Sequence, residues 1–317
     1  MNALASTTET FVRYGERTLT LTNLDKLLWP ADGLTKADYL RYCARVAPWL
    51  LAHLRDRPLV LTRYPDGIDG KSFYQKDAPD YAPPWVRLYP HYSADSGRWL
   101  RFIVCDDAAT LLWVANQAAL ELHPWLSRAD APERPDFAVI DLDPAEGATY
   151  RDACEVARLI RDVLTYLGLR GYVKTTGATG LHIYIPLLPR YDYGQTADFV
   201  RRLGVWLRAA APERITLERR VAKRTGRVYV DYLQNAPGKT LVAVYSARPR
   251  PGAPVSFPLD WDELDQVDPA SLNLRSVPDL LERRRDRFAA VLTDRQALEE
   301  ASVRLDRLLA PLKGGSD

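Results

Sequence analysis

The chain has no stretch of eighteen consecutive apolar residues, which excludes a membrane-spanning helix. Its first residues, MNALASTTETFVRYGER, lack the basic segment and apolar core of a secretory signal. Cysteine is scarce. Cys43, Cys105 and Cys154 stand far apart, which excludes a disulfide framework or a zinc motif and points to a reducing cytosol. No internal repeat or low-complexity linker interrupts the 317 residues. Net charge is nearly absent at +2, so the overall balance selects no partner. A Walker A motif is missing as well. Gly-Lys-Ser/Thr triplets occur at residues 70–72 and 238–240, but Pro65 and Leu233 stand where the P-loop needs its leading glycine.

What is present is the composition of a soluble globular protein, 47% hydrophobic and 26% charged. That length carries ample core. Charge is uneven: residues 201–227 hold nine Lys/Arg against two acids, Glu213 and Glu218. This is either a solvated helix face or a phosphate-facing patch.

Read in order, residues 1–17 look like a flexible tail, with a short strand at 18–22. Thr35 opens a helix with Leu40, Cys43, Ala47, Leu50 and Leu54 at helical spacing. Strands are expected at 59–64, 86–92 and 99–104, and one apolar helix over 107–122. Helices follow at 150–167 and 196–211. Strands are expected at 137–144, 172–175, 182–187, 227–233 and 241–245, and two charged helices end the 265–317 segment. The alternation predicts an α/β (mixed α+β) protein, a central mixed sheet flanked by helices, in a single catalytic domain.

The stretch FAVIDLDP, residues 137–144, carries the strongest signal. An apolar strand runs into Asp141-Leu142-Asp143, and Pro144 ends it. Alternate strand side chains share a face, so both carboxylates project together. Hard oxygen ligands of that kind suit Mg²⁺ or Mn²⁺; the bland reading is a pair of solvated acids. Asp231, in VYVDYLQN, adds a third acid at a strand end. Three such carboxylates would suit two-metal phosphoryl transfer.

A second constellation is KTTGATGLHIYIP, residues 174–186. Gly177 and Gly180 permit close backbone approach, the hydroxyls of Thr176 and Thr179 can join amides on a phosphate, and His182 opens the next strand. Lys174 reads equally well as an ordinary strand lysine. Arg224 leads into the strand of Asp231, and Arg248 follows the 241–245 segment; guanidinium groups suit polyphosphate. Phe73 and Tyr74 beside Lys76 can stack on bases, although such aromatics are more often core.

The order DLDP, TGATGLH, RTGRVYVDYLQN resembles the archaeo-eukaryotic primase superfamily, and within it the polymerase domain of bacterial ligase D, the end-joining enzyme. LTNLDKLLWP, GLTKADYLRYC, RPLVLTRYPDG, FYQK, LELHPW and YSARPRPGAPVSFPLDWDEL extend the likeness over residues 19–264. The resemblance implies a primase-polymerase fold, with Asp141, Asp143 and Asp231 holding two Mn²⁺ or Mg²⁺ ions for nucleotidyl transfer. It implies that Thr176, with Gly177 in its turn, and His182 hold the incoming NTP or dNTP, together with Arg248, Gln234, His123 and, with Lys174, a compensating Arg224. Asn23, Lys26 and Lys36 match a pocket for a DNA 5′-phosphate, and Phe73 and Tyr74 a pair near the templating base. One departure stands out: Thr179 occupies a place in the glycine turn where family members commonly have lysine.

The expected function is therefore template-dependent addition of nucleotides to a DNA 3′ end, filling gaps in non-homologous end joining and tolerating ribonucleotides. Ku and a separate ligase are the implied partners, in a cytoplasmic, nucleoid-associated setting. No ligase or nuclease motif is read in the sequence. A stand-alone primase-polymerase, a metal-dependent nuclease or phosphodiesterase, and a non-catalytic DNA-end adaptor are the rivals.

Overall fold

A computed structural model describes residues 9–94 and 96–313. In chain order it contains β1 (Glu9–Tyr14), β2 (Arg17–Thr22), β3 (Leu27–Trp29), β4 (Leu34–Thr35), α1 (Lys36–Leu54), β5 (Pro58–Arg63), β6 (Phe73–Gln75), β7 (Arg87–Ser93), β8 (Arg98–Val104), α2 (Ala108–Asn116) and β9 (Ala119–Pro124). There follow β10 (Phe137–Pro144), α3 (Tyr150–Leu167), β11 (Tyr172–Thr175), β12 (Leu181–Pro186), α4 (Tyr193–Ala210), β13 (Ile215–Thr216), β14 (Val228–Asp231) and β15 (Pro258–Leu259). The chain closes with α5 (Val277–Arg284), α6 (Ala290–Thr293) and α7 (Glu299–Lys313). The mixed α/β class expected from the alternation is the one observed.

By packing, the chain forms two compact units. The first comprises the chain up to Pro124 with Tyr245–Val255 and Leu272–Arg285; the second comprises Trp125–Val244, Ser256–Ser271 and the chain from Asp286. The chain leaves and re-enters each unit, so no linker marks the boundary in sequence.

In the first unit, β5 is central, pairing antiparallel with β6, β8 and β9. Thr35 caps α1 in a reciprocal capping box with Asp38, which is why the helix opens there. Two expectations fail here. Residues 9–14, read as tail, form β1 and pair with β2 from Glu9↔Thr22 to Tyr14↔Arg17. Gly15, at φ +59, starts the two-residue turn; the strand is mostly exposed, so burial patterning gave no sign of it. Residues 1–8 lie outside the described residues. The long apolar helix over 107–122 stops at Asn116, and Ala118 at φ +54 turns the chain into β9. A buried strand and a buried helix segment share an apolar signature, so composition cannot separate them.

In the second unit, a six-stranded sheet runs β13-β14-β10-β12-β11-β15. Leu142 and Val230 oppose each other across β10 and β14. At Gly204 of α4, an added Cβ would touch Val230, so α4 covers the Leu142 face and the acids project from the other. Thr149 caps α3 with Asp152, and Gly168, at φ +78, ends it. The expected strand over 241–245 is absent. The segment is buried but makes no ladder beyond a bridge from Thr240 to Trp125, and Tyr245 turns at φ +63. The closing helices number three rather than two.

Among the described residues, no helix is long and apolar enough to cross a membrane. Cys43, Cys105 and Cys154 are free and buried. Burial raises all three thiols, Cys43 to about 12.

Candidate active site

Register draws the key residues of the second unit into one row. Asp231 faces Asp141 across β14 and β10, Asp141 faces His182 across β10 and β12, and His182 faces Lys174 across β12 and β11. Directly opposed residues project from the same face, so the row is a consequence of strand pairing alone. Asp143, two residues on, shares that face; it is exposed, whereas Asp141 is only 6% exposed. His182 Nε2 lies 3.3 Å from Asp141 Oδ1.

Asp231 is tied down locally. Its Oδ1 accepts from the Leu233 amide at 2.8 Å and the Tyr229 hydroxyl at 3.2 Å, and its Oδ2 accepts from Gln234 Nε2 at 3.1 Å. Burial, then the Asp231 charge, pushes the Tyr229 hydroxyl up. The Arg224 guanidinium stacks 3.5 Å above the Tyr229 ring and donates to the Glu218 and Arg219 carbonyls. Arg224 therefore reaches the acid row through Tyr229. The donor set, carboxylates on one face of two paired strands, is the chemistry of a hard divalent cation. The side chains do not yet enclose one: no metal-holding group of three His, Cys, Asp or Glu forms among the described residues.

The glycine turn is built differently from the amide cradle expected. Thr176 Oγ1 accepts from the amides of Ala178 (3.1 Å) and Gly180 (3.2 Å), so those two amides brace the turn. Gly177 takes φ +69. At Gly180, a Cβ would fall 2.3 Å from the Leu142 carbonyl oxygen, so the turn sits directly on the acid strand. Thr179 is exposed at its tip. Lys174 cannot substitute for the lysine missing there: it is fully buried.

The basic run divides by partner. Arg201, Arg202 and Arg214 pair with acids. Arg208, Arg219, Arg220, Lys223 and Arg227 line an open cleft of about 980 Å³ with Glu218 as its one acid. The patch thus lies at the β13 edge of the sheet, beside the strand carrying Asp231.

The first unit holds the remaining candidates. Asn23 adopts φ +53, and its carbonyl accepts from the Lys26 amide while the Lys26 carbonyl accepts from the Lys36 amide. One turn thereby gathers all three 5′-phosphate candidates. Lys26 Nζ donates to Pro65 O (2.9 Å) and pairs with Asp66 (3.2 Å). Lys36 is buried, donating to Thr22 O at 2.6 Å; burial, then the charges of Lys26 and Arg63, lowers it to about 8. Phe73 and Tyr74 are 46% and 72% exposed, which rules out the core reading. With Arg98 and Leu100 they line a cleft of about 420 Å³.

Two residues escaped the sequence reading. Glu121 is the hub of two nucleotide candidates: Arg248 Nε lies 2.8 Å from its Oε1 and His123 Nε2 3.8 Å from its Oε2. Burial alone would raise Glu121; the neighbouring His123 and then the Arg248 charge outweigh it and hold the carboxyl below its usual range. The signal was alternation in ALELHP, hidden inside the supposed helix. Arg63 stands 5.2 Å over the Phe73 ring and donates to Gln117 O at 2.9 Å, an arrangement no local pattern announces.

Comparison with known proteins agrees with this geometry. Residues 35–288 match the family model of the LigD primase-polymerase domain. A LigD protein of Bacillus subtilis, named as bifunctional in non-homologous end joining, is 36% identical over 267 residues, 84% of this chain and 43% of that protein. A multifunctional LigD of Mycobacterium tuberculosis is 38% identical over 265 residues, 80% of this chain and 34% of that protein. The chain thus spans less than half the length of these curated relatives. The solved polymerase domain of Mycobacterium tuberculosis ligase D, in complex with DNA, superposes with a TM-score of 0.81 at 34% identity, covering 88% of this chain and 99% of that one. Motif order, sheet register and these matches agree: the chain belongs to the LigD primase-polymerase domain family.

Proposed function

We infer that this chain is a template-directed nucleotidyltransferase that extends DNA 3′ ends during non-homologous end joining. One observation carries the reading: strand register sets Asp231, Asp141 and His182 side by side on the sheet face opposite the one α4 covers. Asp141, Asp143 and Asp231 would hold Mn²⁺ or Mg²⁺. When bound, such ions offset the negative charge that builds on the reacting phosphate. The chain itself supplies position and further charge. His182 and the hydroxyl of Thr176 orient the incoming triphosphate, and Gln234 steers the Asp231 carboxylate. His123 and Arg248, joined through Glu121, are proposed as further nucleotide contacts on the family likeness. Lys26 and Lys36 grip a downstream 5′-phosphate, and Phe73 and Tyr74 stack near the templating base. Gap filling, use of ribonucleotides, a cytoplasmic location and partnership with Ku and a ligase belong to the same proposal.

Primer extension on a gapped, 5′-phosphorylated duplex with labelled NTPs or dNTPs and Mn²⁺ or Mg²⁺ tests it. Asp141→Ala and Asp143→Ala should each abolish extension while binding of the gapped duplex changes less than about twofold, since the acids touch no strand phosphate on this reading. Full extension by either variant rejects the acid assignment. Release of mononucleotides from DNA without added NTP would favour the nuclease rival.

A further inference from the structure

The acid row continues past His182 into a buried lysine that the proposed chemistry does not use. Lys174 lies within β11 at 0% exposure. Its Nζ is 3.0 Å from the Val242 carbonyl oxygen, 2.7 Å from Ser256 Oγ and 2.8 Å from His182 Nδ1. The Ser256 hydroxyl gives its own proton to the Thr175 carbonyl at 2.7 Å, which leaves Oγ to accept. A carbonyl can only accept. An ammonium has three N–H donors and no lone pair, so the three donors meet three acceptors, one of which is His182 Nδ1. The single proton of the neutral ring then resides on Nε2, which faces Asp141 Oδ1 at 3.3 Å.

A neutral amine would reverse this polarity. Its two N–H groups would serve Val242 and Ser256, its lone pair would accept from Nδ1–H, and Nε2 would set a lone pair against the Asp141 carboxylate. Two acceptors facing each other at that distance in a buried site repel and leave both unsatisfied. With the ring neutral, the observed contacts are favourable only in the first arrangement.

We infer that Lys174 is a positioning residue that fixes His182 as its Nε2–H tautomer, so that the ring offers a donor, never an acceptor, toward Asp141 and phosphate oxygen. The phosphate half of this statement rests on reading His182 as a nucleotide contact; the tautomer does not. Lys174 thereby acts through His182 and touches no substrate.

The test is a long-range ¹H–¹⁵N correlation spectrum of the full ¹⁵N-labelled chain, in which only four histidines appear and His182→Gln supplies the assignment. The expected result is an unprotonated Nδ1 and a protonated Nε2 at His182, with that preference lost in Lys174→Met. In steady state, Lys174→Met should raise KM for the incoming nucleotide about tenfold, the scale of one charge-assisted contact, with a smaller change in kcat. A proton on Nδ1 in the unaltered chain overturns the inference, and so does an Nε2–H tautomer that survives Lys174→Met. Should that variant not fold, the unaltered chain decides: an Nζ–Nδ1 coupling with no proton on Nδ1 supports the inference, and a proton on Nδ1 overturns it. The expected spectra with an unchanged KM leave the inference standing and reject His182 as a nucleotide contact.

Discussion

At Lys36, burial and charge set a working range in pH. Its folded value is lowered to about 8 from 10.5, by desolvation first and by Lys26 and Arg63 after it. The unfolded chain holds this proton more tightly, so between roughly those two values the group's contribution to folding stability rises with pH. Phosphate affinity moves the other way, because the ammonium disappears as pH climbs through 8. The preference for 5′-phosphorylated over 5′-hydroxyl gapped DNA should therefore shrink between pH 7 and pH 9, measured by fluorescence anisotropy at fixed salt. Lys36→Met should abolish the pH dependence along with most of the preference. A preference that stays constant with pH in the unaltered chain would remove Lys36 from the pocket. The acids were legible in sequence because period-two spacing and a terminating proline are local facts. Glu121 and Arg63 were not, because their meaning lies in partners far along the chain, Arg248 and Gln117 among them.

Among the elements, the turn between β11 and β12 is the most constrained. Gly180→Ala would press a Cβ against the Leu142 carbonyl oxygen, and neither backbone can yield without moving the acid strand. Such overpacking costs typically about 1–3 kcal/mol. Urea unfolding should show a lower midpoint with an unchanged slope, and extension should fall further than stability explains, since Thr176 is braced by the same turn. A variant with wild-type midpoint and activity would contradict that packing. Sequence patterning found β10, α3 and α4 to within a few residues, because amphipathic period and caps are encoded where they act. It failed from 107 to 124, where burial on all sides erased the period that separates helix from strand. It failed again at 241–245, where apolar residues are buried without a ladder.

For the whole molecule, the family could be read from motif order, whereas the division into two units could not: each unit is assembled from three separate runs of chain. The distribution of basic charge is also a property of the fold. Nine basic residues in 201–227 resolve into acid-paired ones, Arg224 stacked on Tyr229, and the five that line the β13-edge cleft. If that cleft follows a nucleic-acid backbone, changing Arg219, Arg220 and Lys223 together to alanine should lower the slope of log affinity against log salt. The expected drop is about 0.7–0.9 for each phosphate that is no longer neutralised, with no change in base preference. An unaltered slope would return the cleft to the status of a solvated face.

The three buried thiols have a use unconnected with nucleotides. Each sits where a reagent cannot reach it and where burial suppresses the reactive thiolate. Alkylation must then wait for the surrounding structure to open. Cys43 and Cys105 belong to one unit and Cys154 to the other, so the native chain already carries a separate clock for each. Mass-resolved labelling over time, with and without gapped DNA, should show which unit a bound substrate holds shut.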